Sequence, residues 1–131
     1  MNNAQANELL AQARNAMQRA YVPYSHFPVG VAALTDTGNI VTGVNVENAS
    51  YGLTLCAECA LVSKLHTDGL GTRLVAFACV GGDGAPLAPC GRCRQLLYEH
   101  GGPGLLLDGP DGPVTMESML PWAFGPEDLE A

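Results

Sequence analysis

The elements legible along the chain follow the order α-β-β-α-β-α-β-β, which predicts an α/β fold. The expected form is a three-layer α/β/α arrangement with a mixed sheet of about five strands. Two observations carry this. Apolar residues recur at helical spacing in the opening segment, with two further helices after the cysteine motifs. Five short runs have the length and bounding turns of strands. No linker or internal repeat interrupts them, so residues 1–131 are read as a single domain.

Ala6, Leu9, Leu10, Ala13, Ala16, Met17 and Ala20 fall near helical spacing and predict an opening helix over 6–20. Pro23 and Pro28 then bracket a loop holding Tyr24, Ser25, His26 and Phe27. Residues 29–34 read as a buried strand, and the turn Asp36-Thr37-Gly38-Asn39 leads into a second strand over 40–46, giving a hairpin. A polar loop over 47–54 precedes a helix over 57–66. The continuous apolar run 74–80 predicts a strand covered on both faces. Gly81-Gly82-Asp83-Gly84, Pro86 and Pro89 separate it from a helix over 90–100. Short strands over 104–107 and 114–116 flank the turn-rich Asp108-Gly109-Pro110-Asp111-Gly112-Pro113.

A chain of 131 residues, 47% hydrophobic and only 15% charged, can bury about two-thirds of its unfolded surface and keep apolar surface for subunit contacts. Its net charge of −7 and pI near 4.6 argue against a polyanionic partner. Gripping a nucleic-acid backbone requires a basic stripe, which six Lys and Arg cannot build. No apolar stretch is long enough for a membrane span. The opening residues Met1-Asn2-Asn3-Ala4-Gln5 lack the basic start and apolar run of a signal peptide. Five cysteines cannot all pair within one chain, and reduced thiols fit a cytoplasmic location.

The chemistry is concentrated in Cys56-Ala57-Glu58 and Pro89-Cys90-Gly91-Arg92-Cys93. A zinc ion that hydrolyses a substrate keeps three protein ligands and one position for water. Cys56, Cys90 and Cys93 supply the three. Glu58, two residues past the first ligand, is placed to handle the proton of the water without ligating. The pattern C-A-E…P-C-G-R-C is the all-cysteine form of the zinc-deaminase signature H-x-E…P-C-x-x-C. Both motifs fall at predicted helix N-termini, whose free N–H groups and dipoles stabilise thiolate charge. Arg92 and Arg94, beside the ligands, are candidates for N–H···S contacts.

Cys59 opens a competing reading, because Cys56-x-x-Cys59 with Cys90-x-x-Cys93 makes a closed, structural four-cysteine zinc module for protein interaction. The 30 residues between Cys59 and Cys90 exceed the usual gap of about 15–20. The segment after Cys56 reads as helix rather than knuckle, and Glu58 has no purpose in a closed site.

Beyond the cysteines, the chain resembles the small, homotetrameric cytidine deaminases from about Tyr21 to Leu129. The likeness is carried by Tyr24-Ser25-His26-Phe27-Pro28-Val29-Gly30, Gly43-Val44-Asn45-Val46-Glu47-Asn48-Ala49, Cys90-Gly91-Arg92-Cys93-Arg94-Gln95 and Phe124-Gly125-Pro126-Glu127-Asp128-Leu129. The resemblance implies one Zn²⁺ per subunit and hydrolysis of cytidine and 2′-deoxycytidine to uridine and 2′-deoxyuridine plus ammonia, as in pyrimidine salvage. A zinc-bound hydroxide attacks C4, and Glu58 moves protons to N3 and to the leaving ammonia. Asn45 and Glu47 match residues that hold the ribose. Phe27 matches one that packs on the pyrimidine, and the Ala57 N–H one that meets its carbonyl oxygen.

Ala49, Tyr51, Gly52 and Phe124 match positions that enter a neighbouring subunit's pocket, so the site is expected to be shared within a homotetramer. One departure stands out. Many members carry Arg directly after the catalytic Glu, where this chain has Cys59, and Arg92 is the nearest substitute for offsetting thiolate charge. Cys59 is expected to stay off the metal, and Cys79 to act as a small buried hydrophobe. His26 is expected to order its loop, and His66 and His100 to close their helices, with none of the three a metal ligand. A deaminase of a cytosine-containing antibiotic is the rival within the enzyme class, opposed by Asn45, Glu47 and the segment 124–129.

Overall fold

The computed structural model describes residues 1–130. Helix α1 (Asn3–Met17) leads into a hairpin of β1 (Val29–Thr35) and β2 (Ile40–Val44). Helix α2 (Ala57–Thr67), strand β3 (Leu74–Gly81), the two-residue strand β4 (Ala85–Pro86) and helix α3 (Gly91–Gly101) follow. A second hairpin, β5 (Leu106–Gly109) and β6 (Gly112–Thr115), runs into a single helical turn, α4 (Met116–Met119). The six strands form one sheet in the order β2-β1-β3-β5-β6, with β4 on the β5 side of β3. β3 and β5 are parallel, and the other pairs are antiparallel, so the sheet is mixed as predicted. No helix among the described residues is long and apolar enough to cross a membrane.

Strand alternation sorts the core into two layers. Val31 and Ala33 of β1 join Phe77 and Cys79 of β3 under Leu61 and Leu65 of α2 and Leu97 of α3. Ala32, Ala76, Ala78 and Val80 point the other way, onto Leu9 and Ala13 of α1. Leu74 and Phe77 share a face although they lie three apart. The pairing of β1 with β3 shifts register between Leu34 and Thr35 and leaves Val75 as an extra residue, 43% exposed. α1 is therefore one outer layer, and α2 with α3 the other.

This topology positions the cysteine motifs. β1 is antiparallel to both β2 and β3, so β2 and β3 run in the same direction. α2 begins beyond the carboxyl end of β2 and α3 beyond that of β3, the rim where open α/β sheets bind ligands. Gly43 in β2 lets α2 press directly on the sheet. A Cβ there would overlap the Ala57 carbonyl oxygen and lie 2.8 Å from Leu61 N.

Element positions differ from expectation where caps and pairing override periodicity. α1 starts at Asn3 rather than at 6 because Asn2 and Gln5 form a reciprocal capping box, with Gln5 N donating to Asn2 Oδ1 at 2.8 Å. Val46 lies outside β2 and bridges instead to Tyr21 and Leu55. The segment read as a strand over 114–116 ends at Thr115, whose hydroxyl accepts from Ser118 N and opens α4. β4 falls in the turn-rich stretch after β3, where Pro86 pairs with Val80.

Gly43→Ala should lower stability to unfolding in urea by about 1–3 kcal/mol, because the new methyl meets backbone rather than a movable side chain. Gly104→Ala, with open space around it, should stay within about 0.5 kcal/mol of the parent.

Candidate metal centre and active site

Cys56 and Cys90 are the N-cap residues of α2 and α3, both in extended conformation. Cys93 follows three residues later, in the first turn of α3. The two helix starts bring the Sγ atoms of Cys56, Cys90 and Cys93 within 4.8 Å of one another. The sulfur–sulfur edge of a tetrahedral zinc site, about 3.8 Å for Zn–S bonds of about 2.3 Å, fits inside that limit. Burial pushes the Cys56 and Cys93 thiols up. At Cys90 burial is outweighed by the Cys93 N–H and the thiols of Cys93 and Cys56, which bring it below the usual thiol value. Three thiolates this close repel one another, so a divalent cation is what the donor set fits.

Cys59 is not in the cluster. Its sulfur accepts a hydrogen bond from Arg92 Nη2 at 3.4 Å. The negative charge that Cys59, first, and then Cys56 and Cys93 place near the exposed Arg92 guanidinium raises its pKa further above its usual range. Arg92 thus reaches the centre through Cys59 rather than by bonding a member of the cluster. Arg94 departs from expectation: it donates no hydrogen bond to sulfur. Its Nε donates to the Pro89 carbonyl at 2.9 Å and Nη1 to the Met119 carbonyl at 3.1 Å, fixing the approach to Cys90 and the end of α4.

Glu58, in the first turn of α2, is 4% exposed, and burial pushes its carboxyl above the usual range. It lines a cavity of about 190 Å³ together with Cys56, Ala57, Cys90 and Asn45. Asn45 is held rigidly, its Oδ1 accepting from Val29 N at 2.9 Å and its Nδ2 donating to the Phe27 carbonyl at 3.1 Å. Glu47 lies in an adjoining pocket of about 370 Å³ with Tyr24, Ser25 and Tyr51, and Thr54 lines both spaces. Glu47 Oε1 accepts from Tyr24 N and Ser25 N at 3.0 and 3.1 Å. Hydrogen bonding from Ser25 leads the effects that hold its carboxyl below the usual range.

Phe27 is 45% exposed and does not wall the cavity; its ring rests against Gly81 and Gly82 at the end of β3. Ala49, Tyr51 and Gly52 lie on the exposed loop around a 3₁₀ turn at Tyr51–Leu53, and Tyr51 stacks edge-on to Tyr24. Phe124 is exposed, its carbonyl held by Gln95 Nε2 at 2.7 Å. None of these four reaches the cavity of its own chain. Sequence reasoning missed Thr54, Leu87 and Ala88 as wall residues. Leu87 arrives there because its N–H donates to the Cys79 carbonyl beside β4, a pairing no local pattern announces. Cys79 is buried as expected, yet it also lines the cavity.

Cys59→Ser should leave bound zinc unchanged in the purified protein by atomic spectroscopy, whereas Cys93→Ser should lose most of it.

Comparison with known proteins agrees with this geometry. Residues 3–105 match the family described as the cytidine and deoxycytidylate deaminase zinc-binding region. The chain is 60% identical over 123 residues to a cytidine deaminase of Mycobacterium tuberculosis, covering 94% of this chain and 92% of the relative. A cytidine deaminase of Sporosarcina psychrophila is 40% identical, with 93% of each covered. The crystal structure of the M. tuberculosis cytidine deaminase superposes with a TM-score of 0.88 at 60% identity, over 92% of this chain and 97% of that one. That of Mycobacterium leprae gives 0.86 at 55%, over 92% and 99%. With a three-cysteine centre, a buried glutamate beside it and this extent of likeness, the chain belongs to the zinc-binding cytidine deaminases.

Proposed function

We propose that the enzyme deaminates free cytosine nucleosides, cytidine and 2′-deoxycytidine alike, with Glu58 as its single proton-transfer group. The observation that carries this is the placement of a buried carboxylate in one cavity with Cys56, Cys90 and Asn45. One zinc per chain, held by Cys56, Cys90 and Cys93, would supply Lewis acidity that makes a water acidic enough to attack near neutral pH. Glu58 takes a proton from that water and delivers it to N3 of the pyrimidine. With the water oxygen now bonded to C4, Glu58 takes a second proton from that C4 hydroxyl and passes it to the amino group. The C4–N bond breaks, ammonia leaves and the C4 carbonyl of the uracil product forms. Burial suits this double duty, because a raised carboxyl pKa lets one group both accept and return a proton.

In this reading the backbone N–H of Ala57, at the start of α2, orients the pyrimidine carbonyl, and Asn45 and Glu47 take the sugar. A reading that relies on the 3′-hydroxyl makes no demand on the 2′ position, so both sugars are accepted. Phe27, half exposed beside Gly81 and Gly82, is the residue that packs on the base in this reading.

The site is completed by other copies of the chain. Tyr51, Leu53, Trp122 and Phe124 are 77%, 65%, 103% and 56% exposed, large apolar side chains that contact with another copy would cover. Ala49, Tyr51, Gly52 and Phe124 enter neighbouring pockets in a homotetramer.

Glu58→Gln should keep zinc and assembly but lose at least about 10⁴-fold in turnover of cytidine, followed by ultraviolet absorbance. Activity within about tenfold of the parent would end the assignment.

Cytidine and deoxycytidine should both be turned over, and CMP should not. Residues 45–55 contain no Lys or Arg to meet a phosphate, and Glu47 is held ionised there. Turnover of CMP comparable to cytidine in parallel assays would contradict this.

A further inference from the structure

Away from the active site, the far ends of α2 and α3 meet again. His66 lies in the last turn of α2 and His100 in the last turn of α3. Their Nε2 atoms are 3.2 Å apart, with ring centroids 5.3 Å apart and planes at 65°. Two imidazole nitrogens bound to one ion at about 2.0–2.1 Å, at an angle of about 100°, lie about 3.2 Å from each other. The pair already has the bite of a chelate.

The proton positions also suit one. His100 Nδ1 lies 3.2 Å from the Leu96 carbonyl oxygen, which only accepts, so Nδ1 carries the proton and the Nε2 lone pair faces His66. That bond fixes ring and tautomer as the outer partner of a metal-bound histidine does. Without metal, His66 Nε2–H donates to His100 Nε2. To ligate, His66 shifts its proton to Nδ1 through solvent, with no change in net charge. The negative ends of two helix dipoles converge here, on a chain of net charge −7. Arg73 also sits at the end of α3, its Nη1 engaged by the Glu99 carbonyl at 3.1 Å.

We propose that His66 and His100 form a second, surface metal site. It takes one borderline divalent transition ion, such as Ni²⁺, Zn²⁺ or Cu²⁺, through their two Nε2 atoms, and water fills the remaining positions. This revises the expectation that no histidine ligates metal, a matter of distance that spacing along the chain does not reveal. An 11-residue helix is about 16 Å long, so the ion clamps α2 and α3 at the end opposite their thiolates.

The test uses untagged enzyme with its catalytic centre already loaded with zinc. Ni²⁺ titration by calorimetry should show one further ion bound per chain in the parent and none in His66→Gln, His100→Gln or the double variant. Zinc content and cytidine turnover should be unchanged in all three. Ni²⁺ should raise the melting temperature of the parent alone. Equal Ni²⁺ uptake by parent and double variant, or no uptake by the parent at hundreds of micromolar, would overturn the proposal.

Discussion

The site depends on electrostatic frustration. Three sulfurs are forced together by the packing of two helices, and a bound cation relieves the repulsion of their thiolate forms. The forcing comes from backbone. Gly43 lets the first turn of α2 touch β2, and β3 delivers the chain to Cys90 at the neighbouring position on the rim. Both helices then meet the centre with their N-terminal dipoles, which oppose part of the burial that pushes the Cys56 and Cys93 thiols up. A side chain at position 43 would separate these two effects, moving one helix start off the other.

Charge is managed around the centre in layers. Where the family resemblance leads one to expect an arginine after Glu58, this chain has Cys59, whose sulfur accepts a hydrogen bond from Arg92. The guanidinium therefore lies near the ligands without competing for the sulfur lone pairs that hold metal. Arg94 serves a mechanical purpose instead, binding two carbonyls from separate segments and leaving the cluster alone. Two arginines in one helical turn thus do unrelated work, because residues at i and i+2 leave a helix in different directions.

How much of this was legible in the sequence follows the range of the interactions. The layered fold, the principal strands and the cysteine cluster could be read locally, since hydrophobic period and ligand spacing are short-range signals. The exclusion of Cys59 drew on loop length, on the helical reading of the segment after Cys56 and on the purpose of Glu58, and the sulfur cluster leaves Cys59 out. What was not legible required pairing at a distance: the bulge at Val75, the β4 pairing that carries Leu87 to the cavity, and the bond by which Arg92 selects Cys59. The capping boundaries of α1 and α4 were missed for a different reason. Asn2 and Thr115 act through side-chain geometry that apolar periodicity ignores.

The spacing of the sulfurs along the chain also bears on how the molecule folds. Cys56 and Cys90 lie 34 positions apart, a span that includes all of α2 and all of β3. An ion bridging them acts as a reversible cross-link, and a covalent link closing a loop of that size removes about 4 kcal/mol of chain entropy from the unfolded state. Metal uptake by this chain is then a folding event as much as a catalytic one, and scarcity of the ion would lower the stability of the folded protein as well as its rate.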